Sequence, residues 1–79
     1  MIERDVEALI AAAIVGARVT ARGDDHRMEI QVVADAFAGL SRVKKQQLVY
    51  AAIAELIADG RLHAVSIQAL TPAEAPQTR

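Results

Sequence analysis

Two stretches of alternating polarity are joined by one of helical periodicity, and this crossover limits the chain to very few folds. In the earlier stretch Met28, Ile30, Val32 and Ala34 alternate with Arg27, Glu29 and Gln31, and in the later one, Ala64 to Leu70, Val65, Ile67 and Ala69 face one side. Between them Val49, Ala52, Ile53, Leu56 and Ile57 recur at helical spacing. A strand that reaches another through a helix lies parallel to it when both belong to one sheet. The sequence therefore predicts a parallel pair bridged by a helix that starts at the N-cap Ser41 and closes at Gly60.

The first half supplies the remaining elements. Val6, Leu9, Ile10, Ala13 and Ile14 share one helical face, which predicts a helix from about Ile2 to Val15, ended by Gly16. Alternation over Ala17 to Arg22 predicts a strand with Arg18, Thr20 and Arg22 on its wet side. Gly23-Asp24-Asp25 is a turn signal that joins it to the next strand as an antiparallel hairpin. Asp35 to Leu40 reads as a connector. The order α-β-β-α-β gives an α+β, two-layer domain: a three-stranded mixed sheet covered on one face by two helices. The domain is expected over residues 1–70, with 71–79 a polar tail that frays.

A chain of 79 residues buries only about 60% of its unfolded surface, so its stability margin is thin. With no cysteine, neither disulfides nor a thiolate metal site can supplement the core. One Phe, one Tyr and no Trp argue against a base-stacking platform. A net charge of −1 leaves any electrostatic role to a local cluster. The apolar run Ala8 to Val15 follows Glu3, Asp5 and Glu7, the wrong charge for a signal peptide, and is too short to span a bilayer. A cytoplasmic protein with no membrane association is expected.

The topology makes a specific statement about the two histidines. His26 precedes the second strand and His63 the third, and parallel neighbours begin at the same end of a sheet. The pair is expected to be close in space. Zinc would need four donors, and adjacent Asp24 and Asp25 in a tight turn point in different directions. A [2Fe–2S] cluster also needs four, two of which are imidazoles in Rieske centres. A chain without cysteine would have to receive thiolates from a partner.

The opposite pole carries Arg42, Lys44 and Lys45 in the first turns of the second helix, where the macrodipole favours acids. Such an arrangement fits phosphate or an acidic partner, or simply a solvated surface. About 17 residues of helix put it roughly 25 Å from His63, so the poles are separate. No catalytic constellation is evident: Ser41, Ser66 and the threonines are the candidate nucleophiles, and none is placed beside a histidine.

The stretch Phe37 to Tyr50 (FAGLSRVKKQQLVY), with Ile57 to Ile67 (IADGRLHAVSI) and Thr71-Pro72-Ala73-Glu74, resembles the BolA-like family, closest to its IbaG-type branch. The resemblance spans nearly the whole chain. It implies the same α-β-β-α-β layout, related to the type-II KH fold, and a role in iron–sulfur trafficking, iron homeostasis or stress response. It further implies partnership with a monothiol glutaredoxin, with a [2Fe–2S] cluster shared between the glutaredoxin cysteine, glutathione and ligands of this chain. His63 matches the family's histidine before the last strand. At the second strand the family's His-aromatic pair falls on Arg27 and Met28, and His26 stands one residue early. The family's Trp after Thr-Pro-x-Glu is here Ala75. The resemblance implies an adaptor, not an enzyme, binding no cluster alone and existing as a monomer or weak homodimer. Some family members are described as DNA-binding regulators, which here would rest on Arg42, Lys44 and Lys45.

Overall fold

The computed structural model describes residues 2–75. Its elements are α1 (Ile2–Ala13), β1 (Arg18–Gly23), β2 (Arg27–Val33), a 3-10 turn (Asp35–Phe37), α2 (Arg42–Ala52), α3 (Ala54–Ala58) and β3 (Ala64–Leu70). The sheet order is β1-β2-β3. β1 pairs antiparallel with β2, Ala21 facing Ile30, and β3 pairs parallel with β2, Ile67 facing Ile30. The expected crossover is therefore present.

Packing follows the two periodicities. Val6 and Ile10 of α1, Val49 of α2 and Leu56 of α3 meet Met28, Ile30 and Val32 from the central strand, with Phe37 and Ile53 among them. These side chains are buried, and each contributes roughly 1.5–3 kcal/mol relative to exposure. The opposite face of the sheet, carrying Arg18, Thr20 and Arg22, is exposed.

Several boundaries differ from the sequence reading. α1 ends at Ala13 rather than Val15, because the chain turns through Ile14 into Gly16, whose φ of 77° suits a glycine. β1 is displaced by one residue to include Gly23, and β2 stops at Val33. The second helix is not continuous: it breaks at Ile53 into α2 and α3. There Ile53 adopts φ −113°, ψ 10° and its N–H donates to the Tyr50 carbonyl at 3.1 Å. Ile53 is fully buried, so the bend lies at a core position.

The start of the expected tail forms a turn over residues 72–74. Thr71 and Glu74 cap each other: the Thr71 N–H donates to Glu74 Oε1 at 2.9 Å and the Glu74 N–H to Thr71 Oγ1 at 3.3 Å. This reciprocal arrangement is a capping box around a single turn. Residues 76–79, the rest of the expected tail, lie outside the described residues.

Candidate two-histidine metal site

The turn between β1 and β2 builds one half of the site. Gly23 has φ 124°, which reverses the chain so that the Asp24 N–H donates to the Arg27 carbonyl at 3.1 Å. Asp24 Oδ1 then accepts from the N–H groups of His26 at 3.0 Å and Arg27 at 3.1 Å. Those bonds, from Arg27 foremost and then His26, hold the Asp24 carboxyl below the usual carboxylate range. The side chain that could have served as a third donor is thus committed to shaping the turn.

The approach to β3 builds the other half. Leu62 is 1% exposed and its N–H donates to the Leu56 carbonyl at 3.0 Å, so the chain is anchored one residue before His63. The His63 N–H donates to the Asp25 carbonyl at 2.9 Å, and the Ala64 N–H to the His26 carbonyl at 3.2 Å. These bonds join the two segments backbone to backbone. The imidazoles of His26 and His63 stack with centroids 5.6 Å apart and planes 13° from parallel, both exposed. The structure brings together the two histidines that the topology placed at one end of the sheet. Leu62 as the anchor was not legible beforehand, its one signal being a lone apolar residue between Arg61 and His63.

No group of three or more His, Cys, Asp or Glu that could hold a metal occurs among the described residues. The pair offers two of the four donors a [2Fe–2S] cluster requires. Both imidazoles are exposed to solvent.

At the opposite pole Ser41 caps α2, accepting from the Lys44 N–H at 3.2 Å. Arg42 and Lys44 are exposed, but Lys45 Nζ pairs with Glu74 Oε1 at 3.0 Å and its side chain is only 14% exposed. The three cations are therefore not one free cluster: Lys45 ties the carboxy-terminal turn to α2. The Thr71 N–H, with Lys45 and the Thr71 hydroxyl, lowers the Glu74 pKa from 4.5 to about 2. A carboxylate depressed on folding stabilises the fold above its unfolded value, and that contribution is lost as pH falls through the folded value. Glu74→Gln is therefore expected to lower Tm at pH 7, with the difference narrowing from pH 4.5 towards pH 2. Paired thermal melts across that range check it.

A mixed three-stranded sheet with its helices on one face is the architecture that this chain shares with BolA-like domains. The BolA-like protein family pattern matches residues 11–74, and the chain belongs to that family. Within it the chain is of the IbaG type. It is 43% identical over 74 residues to acid stress protein IbaG of Escherichia coli K12, covering 94% of this chain and 88% of that one. It is 39% identical over 59 residues to human BolA-like protein 1, covering 75% of this chain and 42% of that one. Among solved structures it is similar to BolA1 from Arabidopsis thaliana, with TM-score 0.82 and 25% identity over 94% of this chain and 95% of that one. Yeast Fra2 is also similar, with TM-score 0.64 and 27% identity over 91% and 81%.

Proposed function

We propose that this protein is an adaptor that shares a [2Fe–2S] cluster, as cargo, with a monothiol glutaredoxin in iron–sulfur trafficking, iron homeostasis or stress response. The observation that carries this is the His26–His63 pair, stacked and exposed at one end of the sheet of a cysteine-free chain. The imidazoles would supply two donors, and the glutaredoxin cysteine and glutathione the two thiolates. The chain's own contribution is positional: Asp24 and the Asp25 and His26 carbonyls hold both segments in register before the partner arrives.

The adaptor acts without catalysis in this reading. Its one helix-capping serine, Ser41, is engaged at the pole opposite the histidines. Among the described residues no helix is long and apolar enough to cross a membrane. The test is to mix the apo protein with cluster-loaded glutaredoxin and glutathione. Formation of a heterodimer with a histidine-type visible spectrum supports the proposal, and an unchanged glutaredoxin spectrum overturns it.

The alternative, a DNA-binding regulator, is weakened by the Lys45–Glu74 ion pair. With Arg42 and Lys44 as the exposed cations of that helix start, about two phosphates are neutralised. Log affinity is then expected to fall with log salt with a slope of about −2, with little sequence preference. Filter binding across salt concentrations checks it. Sequence-selective binding that survives about 200 mM salt would favour the regulator.

A further inference from the structure

The free edge of β3 has a feature unrelated to the histidine pair. The Ala64 N–H donates to His26 and the Leu70 carbonyl accepts from Ala34, so the even-numbered residues of β3 turn their backbone groups towards β2. Val65, Ile67 and Ala69 turn theirs outward. Of those six groups one has a partner among the described residues: the Ile67 carbonyl, which accepts from Gln46 Nε2 of α2 at 2.7 Å. β3 carries no charge and no proline, the usual protections of an edge. The β1 edge is better defended. Glu7 Oε2 accepts from the Ala21 N–H at 3.0 Å, and Arg18 and Arg22 would oppose any like strand.

The apolar surface at this edge is incompletely covered. The side chains of Val65, Ile67 and Ala69 are half-buried, whereas Met28, Ile30 and Val32 on the neighbouring strand are buried. Above the edge, Val43 is 64% exposed and Tyr50 46% exposed, at seven-residue spacing on the flank of α2 that carries Gln46. Gln46, Gln47, Tyr50 and Ala51 line a shallow apolar hollow of about 370 Å³.

We propose that the β3 edge and this flank of α2 form a groove that takes an extended peptide of a partner protein by strand addition. The peptide presents apolar side chains towards α2 and an acidic residue at the end beside Arg42. Charge complementarity sets that end: α2 carries Arg42, Lys44 and Lys45 with no acid, β3 carries none, and Glu74 is already paired with Lys45. A second copy is not the proposed occupant, because its β3 carries no acidic residue to meet Arg42. Gln46 is the guard of the groove, since its Nε2 competes with an added strand for the Ile67 carbonyl.

The test is an NMR titration of the full, isotope-labelled chain with a synthetic acetylated peptide of alternating Val and Thr ending in two Glu. The amides of Val65, Ile67 and Ala69 and the Gln46 side-chain amide are expected to shift. Gln46→Ala is expected to tighten binding by about threefold to tenfold, because its side chain no longer competes for the Ile67 carbonyl. Tyr50→Ala is expected to weaken it, and replacing the central Val of the peptide with Pro to abolish it. Shifts centred on β1 or on the open sheet face would overturn the proposal. So would weaker binding by Gln46→Ala, or equal binding of the Pro peptide. Concentration-dependent shifts of β3 without peptide would assign the edge to a second copy instead.

Discussion

His63→Ala is expected to abolish the histidine-type spectrum of the glutaredoxin heterodimer and to weaken the complex more than about 100-fold, beyond the 10–100-fold typical of losing an outer-shell partner. The reason is the shortage of donors. Two imidazoles are the only candidates at this end, Asp24 is engaged by two backbone N–H groups, and no third metal donor joins them among the described residues. The substitution spares the fold, because His63 is exposed and its position is set by its own N–H bond to Asp25 and by the buried Leu62 beside it. Circular dichroism should therefore be unchanged while the visible spectrum reverts to that of glutaredoxin alone. His26→Ala is expected to have a smaller effect, since His26 stands one residue before the position that the family resemblance implies for the second ligand. An unchanged spectrum with His63→Ala would show that the site is misassigned even though the fold is right.

What the sequence reveals is uneven, for physical reasons. The hairpin and crossover were legible because strand and helix periods differ, and the nearness of His26 to His63 followed from the parallel pairing alone. The break at Ile53 was not, because Val49, Ile53 and Leu56 keep their core-facing spacing whether the helix runs straight or bends. Thr71-Pro72-Ala73-Glu74 has the spacing of a capping box, but no apolar run follows it, so it read as tail. Lys45–Glu74, Glu7–Ala21 and Gln46–Ile67 join residues far apart in sequence, and no local pattern encodes them. The pairing of the histidines came from topology. Their proposed role as cluster ligands comes from family resemblance.

Gly23→Ala is expected to be the most damaging single-methyl substitution in the hairpin, costing about 3 kcal/mol from backbone strain and broken turn bonds. The backbone there has φ 124°, a region that side chains avoid, and a Cβ would press directly on the Arg27 carbonyl and lie 3.1 Å from Met28 Cα. That carbonyl is the acceptor that closes the turn through Asp24. Moving it disturbs the two N–H bonds to Asp24 Oδ1 and the His26 carbonyl that receives Ala64. For a domain of this size about 3 kcal/mol corresponds to a Tm lower by roughly 15 °C, a large share of a total near the low end of about 5–15 kcal/mol. Gly39→Ala provides the control: Gly39 also has positive φ, 79°, but nothing lies within 4 Å of its added Cβ. It should show only the intrinsic left-handed cost of about 1–2 kcal/mol and leave the histidine end intact. The measurement is a pair of thermal melts together with the cluster spectrum of each variant. Gly23→Ala should lower both stability and the His26 contribution to the spectrum, and Gly39→Ala stability alone. Equal losses of stability in the two variants would show that the close approach at the turn does not govern the hairpin, and with it the positioning of His26.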